Sequence, residues 1–380
     1  MNKEFHAPGR VNLIGEHTDY TGGWVLPMAI PFTTTATLTP MAAGYRFESA
    51  SFSQAHSLTC ADRGAASGNW SDYPVGVLRQ LQKRGAVLQP FVLQLSGNVP
   101  LGAGLSSSAS VEIATAMALL AHAKMRMSVP EIATMCRAAE NDFVGSPCGI
   151  MDQFVVVAAI KGHALMLNTA TLDFQHLPMN TGELAECRVV VANSMLRHSI
   201  STGDYGLRRQ EVEAGQAELK KMFPNLLNLG GADIDQLEQA RASMPQASYQ
   251  RCRHIITENA RVLAARDAML AGNAALLGNV MTQSHASQRD DFQCSTPEID
   301  FLVETANGIE GCFGARLTGG GFGGCTVNLV HKSAVESFQR SLKSAYLERF
   351  SIDSELYVCE AVDGAMRRSE LVSENLPVSA

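Results

Sequence analysis

Residues 100–110 read Pro-Leu-Gly-Ala-Gly-Leu-Ser-Ser-Ser-Ala-Ser, and this run restricts the local fold more than any other part of the chain. The alternating apolar residues before it, from Val87 to Gly97, predict a strand. The Ala-, Leu- and Met-rich residues after it, from Ala109 to Lys124, predict a helix. Because two glycines one residue apart allow backbone conformations that other residues rarely adopt, the sequence predicts a strand, a glycine-rich turn and a helix.

The beginning of that helix suits an anion. The first backbone N–H groups of a helix have no partner within it, and the helix dipole adds positive charge there. A glycine-rich turn that leads into such a helix is a recurring phosphate site. No Gly-Lys-Ser or Gly-Lys-Thr closes the run, so it has no Walker lysine. The alternative is an ordinary flexible loop in which a serine caps the helix.

Composition and charge exclude several classes of protein. The 380 residues suffice for two domains, and 46% of them are hydrophobic, which excludes wholesale disorder. The formal net charge of −7 argues against nucleic acid or an acidic membrane surface as the main partner. Nine scattered cysteines, none in a Cys-x-x-Cys pair, favour reduced thiols. With no signal-peptide core, no membrane-spanning apolar run and no clustered histidines, we expect a cytoplasmic protein without structural zinc.

A polar stretch lies near the N-terminus, where residues 9–20 read Gly-Arg-Val-Asn-Leu-Ile-Gly-Glu-His-Thr-Asp-Tyr. Within it Glu16, His17, Thr18 and Asp19 bring two carboxylates, an imidazole and a hydroxyl together. Such groups suit a small polyhydroxylated ligand, which needs many directed donors and acceptors. For any one of these residues alone, a surface loop explains the pattern equally well.

Residues 145–154 form another informative stretch and read Gly-Ser-Pro-Cys-Gly-Ile-Met-Asp-Gln-Phe. Asp152 precedes the apolar run from Phe154 to Ile160, so it lies at the edge of a buried element. A carboxylate in that position needs partners. The sequence therefore offers Asp152 as a candidate catalytic group, and the alternative is an N-cap for a helix that begins at Gln153.

A late glycine run at residues 316–326 reads Arg-Leu-Thr-Gly-Gly-Gly-Phe-Gly-Gly-Cys-Thr. Gly319, Gly321 and Gly324 match the Gly-x-Gly-x-x-Gly pattern of nicotinamide dehydrogenases. Residues 326–330 predict a strand, however, whereas the dinucleotide motif requires a helix there. We therefore expect a glycine turn between two strands, close to residues 100–110.

Taken together, the stretches at residues 9–20, 100–110 and 316–326 resemble the three motifs of the GHMP small-molecule kinases, and residues 9–20 resemble the galactokinase signature. The resemblance covers nearly the whole chain. It implies an α+β fold of two domains: residues 1–187, like domain 2 of ribosomal protein S5, and residues 188–380, ferredoxin-like with added helices. The site would lie between the domains, and we expect a monomer.

The resemblance also implies roles for individual residues. Asp152 matches the catalytic base, and Arg10 matches the residue that stabilises the transition state. The matched sugar contacts are Glu16, His17, Thr18, Asp19, Gly149, Asp152 and Tyr205. The matched ATP phosphate loop is Gly102, Ala103, Gly104, Leu105, Ser106, Ser107 and Ser108, with Ser108 and Glu140 at the Mg²⁺ positions. Trp70 matches an aromatic residue beside adenine, although ordinary core packing is an alternative for this ring.

The implied activity is ATP-dependent phosphorylation of the anomeric C1 hydroxyl of D-galactose to galactose 1-phosphate, the first step of galactose catabolism, with ATP and Mg²⁺ as cofactors. A kinase of the same superfamily for N-acetylgalactosamine, arabinose, homoserine or mevalonate would share the ATP loop. A non-catalytic galactose sensor would keep the fold and damage the loop or the base. Both the serines of the loop and Asp152 are present here.

Overall fold

The computed structural model describes residues 3–62, 64–196 and 204–366. The strands in these ranges are β1 (Glu4–Asn12), β2 (Trp24–Val25), β3 (Pro27–Pro40), β4 (Tyr45–Ser49), β5 (Phe52–Leu58), β6 (Phe91–Gly97), β7 (His163–Asn168), β8 (Phe174–Pro178), β9 (Cys187–Asn193), β10 (Cys312–Thr318), β11 (Cys325–His331) and β12 (Glu355–Cys359).

The α-helices in the same ranges are α1 (Asp72–Lys83), α2 (Ser107–Ala123), α3 (Val129–Ala138), α4 (Met151–Ala158), α5 (Asp204–Met222), α6 (Ile234–Ala240), α7 (Gln246–Leu270), α8 (Ala274–Ser287), α9 (Pro297–Asn307) and α10 (Val335–Phe350). Two π-helical turns, Ala139–Val144 and Gln288–Phe292, directly follow α3 and α8. Within the described ranges, no helix combines the length and the apolar character that crossing a membrane requires.

The strands form three sheets. The largest has the order β1-β3-β6-β4-β5, in which only β4 and β6 run parallel. A three-stranded antiparallel sheet has the order β2-β7-β8, and a four-stranded antiparallel sheet has the order β10-β11-β9-β12. We call the residues up to β8 the first half of the chain and the residues from β9 onward the second half, because no sheet mixes strands of the two among the described residues.

Apolar packing holds the two halves together. One core lies mainly within the first half, where α2 and α4 pack on β1 and β3, and Ala365 and Met366 of the second half join it. Another lies within the second half, where α9 packs on β10 and β11. A third core combines Ile14 and Met28 of the first half with Val262 and Val327 of the second, all of them buried. Apolar packing therefore surrounds the polar groups that lie between the halves and holds them in place.

The predicted local structure of the motifs is confirmed, with shifted boundaries. Helix α2 begins at Ser107, two residues before the Ala-rich run, and β6 begins only at Phe91. The glycine run near residue 320 joins the antiparallel strands β10 and β11, as expected for a strand-turn-strand unit. Asp152 does not cap a helix that begins at Gln153, because α4 begins at Met151 and places Asp152 in its first turn.

Helix α8 and strand β10 approach each other closely at two glycines. A Cβ atom on Gly278 would lie 2.1 Å from the Phe313 carbonyl oxygen, and one on Gly314 would lie 2.0 Å from the Gly278 carbonyl oxygen. The change Gly278→Ala therefore forces the helix away from the sheet. We expect it to lower the free energy of unfolding by about 1–3 kcal/mol, the range for overpacking, as measured by urea denaturation.

The matched control is Gly206→Ala in α5, where nothing lies within 4 Å of an added Cβ. Since alanine favours a helix over glycine by up to about 1 kcal/mol, this control should be neutral or stabilising. A Gly278→Ala protein with the wild-type unfolding midpoint would contradict the close-packing account.

Candidate active site

An ion pair between β1 and α4 forms the centre of the site. Arg10 Nε donates to Asp152 Oδ1 at 2.7 Å, and Arg10 Nη2 donates to Asp152 Oδ2 at 2.6 Å. The arginine side chain is 7% exposed and the aspartate side chain is 23% exposed. Two parallel hydrogen bonds fix the plane of the carboxylate, and its greater exposure leaves one side open to a ligand.

The same arginine holds the glycine-serine loop, residues 98–106 between β6 and α2. Arg10 Nη1 donates to the Gly104 carbonyl at 2.6 Å, and the Arg10 backbone N–H donates to the Leu105 carbonyl at 3.1 Å. The Ser106 hydroxyl donates to Asp152 Oδ2, and Ser106 makes no side-chain cap for α2. The loop, the arginine and the aspartate therefore form one hydrogen-bonded unit.

The outer face of this loop is open. Gly102 and Gly104 are exposed, with φ angles of 74° and 73°, and nothing lies within 4 Å of a Cβ added at either position. Ala103 and Leu105 are buried in the core between the halves and anchor the loop. Because no side chain caps the first turn of α2, its backbone N–H groups are available to an anionic ligand beside Ser107 and Ser108.

The late glycine turn, residues 319–324 between β10 and β11, lies against this loop. The Cys325 thiol donates to the Ala103 carbonyl at 2.9 Å, and a Cβ on Gly319 would lie 3.5 Å from the Gly104 carbonyl oxygen. The prediction that the two glycine-rich segments lie close together is confirmed. Gly321 has a φ of 86°, and a Cβ added there would lie 2.6 Å from the Cys294 carbonyl oxygen, so this position admits only glycine.

The polar loop, residues 13–23 between β1 and β2, is held by its own side chains and by α7. The fully buried Thr18 hydroxyl lies 2.9 Å from the Gly15 carbonyl and 2.7 Å from the Trp24 carbonyl, so this side chain shapes the loop. From α7, Glu258 accepts the Gly15 N–H at 2.9 Å and Asn259 accepts the Trp24 N–H at 2.7 Å. Sequence reasoning missed both α7 residues, since nothing in the local pattern distinguishes them from a solvated helix face.

Glu16 of the polar loop is turned toward the second half. Its Oε1 accepts the Gly319 N–H at 2.7 Å, and its Oε2 accepts from the Asn12 amide and lies 3.3 Å from Arg316 Nη2. Burial raises the pKa of Glu16, while Arg316 and the Gly319 N–H oppose that rise. Asn12 and Arg316 lie inside the motifs, yet no local pattern indicates that their side chains meet Glu16.

Aromatic rings line one wall beside the polar loop. His17 stacks on Phe292 with 3.9 Å between ring centroids, and Tyr205 lies 5.8 Å from His17. His17 Nδ1 lies 3.3 Å from the Tyr20 hydroxyl, whereas the buried Nε2 has no partner among the described residues. Burial and the neighbouring His254 lower the pKa of His17 well below its usual value. A neutral imidazole with one unused nitrogen can donate to or accept from a ligand hydroxyl.

Asp19 lies against the segment that leads into α4. A Cβ on Gly149 would lie 1.8 Å from Asp19 Oδ2, so this contact requires glycine. The pKa of Asp19 is raised to about 7 by burial first, and then by the charges of Asp152 and Glu16. A hydroxyl that donates to this carboxylate would favour its charged form.

Glu140 lies in the π-helical turn after α3, and its carboxylate lies near the Ser108 side chain. Gln153 Nε2 donates to Glu140 Oε2 at 2.7 Å and to Glu112 Oε2 at 3.1 Å. Burial, together with Asp152, raises the pKa of Glu140 to about 7, and burial together with Glu140 raises the pKa of Glu112 well above its usual value.

Buried oxygens of this cluster fit a divalent cation. Glu112 Oε1 and Gln153 Oε1 have no hydrogen-bond partner within the described residues. Mg²⁺ is bound through one or two carboxylates together with phosphate oxygens and waters, and Glu140 with the Ser108 hydroxyl offers such a share. Glu112 was missed because a single carboxylate in the Ala-rich α2 has no local signature.

Trp70 lies two residues before the start of α1 and contacts other residues of the first half. Its ring stacks on Phe52 with 5.9 Å between centroids, and Nε1 donates to the Gln54 carbonyl at 3.1 Å. The half-buried ring also packs against the first core. These contacts agree with ordinary core packing, which was the alternative for this ring. A role beside adenine stays a prediction.

Three family models match this chain. They are the GHMP kinases N terminal domain over residues 72–160, the galactokinase galactose-binding signature over residues 3–40, and the GHMP kinases C terminal domain over residues 265–348. The first and second contain Arg10, Glu112, Glu140 and Asp152 between them, and the third contains the late glycine turn.

Similar proteins match over nearly the whole length. A galactokinase of Roseiflexus sp. strain RS-1 is 39% identical over 362 residues, which are 95% of this chain and 92% of that protein. A galactokinase of Homo sapiens is 38% identical over 94% of this chain and 90% of its own length. The crystal structure of Lactococcus lactis galactokinase complexed with galactose has a TM-score of 0.92 at 29% identity, covering 96% of this chain and 94% of that one. By its motifs, its two-domain fold and these relatives, the chain belongs to the galactokinase family of the GHMP kinases.

Proposed function

We propose that this protein transfers the γ-phosphoryl group of ATP to the anomeric C1 hydroxyl of D-galactose, giving galactose 1-phosphate and ADP. One observation carries the proposal. The Asp152 carboxylate is bonded through Ser106 and Arg10 to the glycine-serine loop, and its charge acts on Asp19 of the polar loop. A single carboxylate thus adjoins both the segment suited to phosphate and the segment suited to a sugar.

The chemistry follows from this placement. Asp152 accepts the proton of the C1 hydroxyl while that oxygen bonds to the γ-phosphorus and the bond between this phosphorus and the bridging oxygen of ADP breaks. Such transfer depends on alignment and charge neutralisation more than on covalent help from the protein. Arg10 fixes the plane of the carboxylate and offsets the charge of the moving phosphoryl group.

The nucleotide phosphates are proposed to lie on residues 102–108, where exposed glycines and the first turn of α2 supply N–H groups. Trp70 is proposed to border the adenine. Ser108 and Glu140 would hold Mg²⁺, which when bound offsets the negative charge of the phosphates. The nearness of these two side chains supports a shared ligand set.

The sugar is proposed to bind among Glu16, His17, Thr18, Asp19, Gly149, Asp152 and Tyr205. His17 offers a neutral nitrogen, Asp19 an acceptor and Tyr205 an aromatic face beside them. The Lactococcus lactis relative was crystallised with galactose, which supports galactose over other sugars.

Three features of the whole chain remain proposals. The domains are proposed to be residues 1–187 and 188–380, a division supported by the start of β9 at Cys187. The protein is proposed to be a monomer. It is also proposed to act in the cytoplasm, which agrees with nine scattered cysteines that form no Cys-x-x-Cys pair.

The function is tested by ATP consumption with galactose, glucose, N-acetylgalactosamine and arabinose under one set of conditions. We expect the highest kcat/KM for galactose and phosphate on C1 of the product. A higher kcat/KM for another of these sugars would assign the protein to that sugar, and no turnover with any of them would refute the proposed activity.

Asp152→Asn removes the proton acceptor and keeps the shape of the side chain. We expect kcat to fall by about 10²-fold or more, the scale of a positioned base, while the Kd for galactose changes little. Asp142→Asn is the control, since Asp142 is an exposed aspartate in the nearby π-helical turn. Near-normal turnover in Asp152→Asn would remove the base from the mechanism.

Arg10→Ala removes both the orientation of Asp152 and the positive charge beside it. The expected loss in kcat is about 10²–10³-fold, the cost of one missing electrostatic donor. Steady-state kinetics with saturating galactose and ATP measure this loss. Unchanged kcat would show that the ion pair has no part in the transfer.

Galactose binding should strengthen as the pH rises through about 7, because Asp19 has a raised pKa of about 7 and accepts hydrogen bonds better when ionised. Calorimetric titration with galactose, without nucleotide or Mg²⁺, between about pH 6 and pH 8 measures the effect. Asp19→Asn should bind galactose with a flat pH dependence. The same slope in both proteins would assign the titration to another group.

A further inference from the structure

Arg316 of β10 is a buried charge that the proposed mechanism does not use. It ranks first by volume among the fully buried side chains of the described residues, with 0% exposure. Its neighbours on the strand, Ala315 and Leu317, are buried in the apolar core of the second half. A buried guanidinium is costly unless it is paired, so its partners identify its purpose.

The partners of Arg316 belong to the sugar side of the site. Nη1 donates to the Asn12 carbonyl at 3.2 Å, and Nη2 lies 3.3 Å from Glu16 Oε2. Two further groups of the same segment reinforce the contact: the Thr318 hydroxyl donates to the Asn12 carbonyl at 2.9 Å, and the Gly319 N–H donates to Glu16 Oε1 at 2.7 Å. The end of β10 therefore contacts the end of β1 at the Asn12 carbonyl and the polar loop at Glu16.

The orientation of Glu16 depends on these contacts. Its carboxylate accepts from Asn12 and Gly319 and faces the planar guanidinium, so it has one defined orientation inside the protein. Without Arg316 the carboxylate would lose the positive charge that lies 3.3 Å from its Oε2, and its raised pKa would rise further. A protonated or rotated Glu16 would present a different set of acceptors to a bound sugar.

The hydrogen bonds that hold the ATP side of the site do not include Arg316, although Gly319 of the same segment also lies against the Gly104 carbonyl. Arg10 binds the Gly104 and Leu105 carbonyls, and Ser106 binds Asp152. None of these contacts involves Arg316 or Glu16. A change at Arg316 should therefore affect the binding of the sugar more than the binding of the nucleotide.

We infer that Arg316 is a positioning residue for sugar specificity: it fixes the Glu16 carboxylate and so determines which hydroxyl of the sugar the pocket selects. This inference rests on the proposed function, because it requires the sugar to contact Glu16. The polar loop of the first half would bind the sugar, and β10 of the second half would contribute to the selectivity for it.

The test uses Arg316→Lys, which keeps the positive charge and loses the planar fork. We expect KM for galactose to rise about tenfold or more, the effect of one hydrogen bond to a charged group, with KM for ATP within about twofold of wild type. A panel of galactoses that each lack one hydroxyl gives the second readout. In Arg316→Lys, removal of one particular hydroxyl should no longer lower kcat/KM. In Glu16→Gln, removal of the same hydroxyl should likewise no longer lower kcat/KM.

Arg79→Lys is the matched control. Arg79 is a buried arginine of α1 whose Nη1 donates to Gln82 and whose Nη2 lies 3.6 Å from Asp62, all within the first half. Its replacement should lower the unfolding midpoint as much as Arg316→Lys does and leave both KM values and the hydroxyl profile unchanged.

Each outcome decides between the two claims. A wild-type protein that does not turn over galactose would refute the proposed function. An active wild type, with an Arg316→Lys protein that loses kcat/KM equally for every sugar of the panel, would overturn the inference alone. If Arg316→Lys fails to fold, the double change Glu16→Gln with Arg316→Met removes both charges together. That protein should lose the same hydroxyl preference, and an unchanged preference would overturn the inference.

Discussion

The Arg10–Asp152 ion pair is the interaction on which the arrangement of the site depends. Arg10 directs three side-chain donors at two targets, the Asp152 carboxylate and the Gly104 carbonyl. A guanidinium buried to this extent requires those partners, since an unpaired buried charge is strongly unfavourable. The correct placement of β1, α4 and the glycine-serine loop is therefore a condition of folding as well as of activity.

The second half of the chain supplies further contacts that hold the loops of the site. The late glycine turn lies on the glycine-serine loop through Cys325 and Gly319, and the end of β10 holds Glu16. Helix α7 supports the polar loop from the other side through Glu258 and Asn259. The loop that we propose to bind the sugar thus belongs to the first half by sequence and is shaped largely by the second.

Local features of the site were predictable from sequence for a physical reason. Paired glycines and a run of serines each act within a few residues, so their patterns are visible in the chain. The turn between β10 and β11 was predictable in the same way, because a strand pattern follows its glycines.

The long-range pairs were not predictable from local pattern. Arg10 and Asp152 are 142 positions apart, and Arg316 and Asn12 are 304 positions apart. Periodicity and propensity do not encode which buried charges meet; the resemblance to a family supplied Arg10 and Asp152, and nothing supplied Arg316, Glu112 or Glu258. In the sequence alone these charged residues cannot be distinguished from charges that are exposed to solvent, because their burial depends on the fold.

The most direct test of the central claim is a crystal structure of the protein with galactose and a non-hydrolysable ATP analogue. We expect the C1 oxygen within about 3 Å of an Asp152 carboxylate oxygen, with the γ-phosphorus in line beyond it and the phosphates on residues 102–108. Galactose and nucleotide in separate pockets, with Asp152 contacting neither, would contradict it.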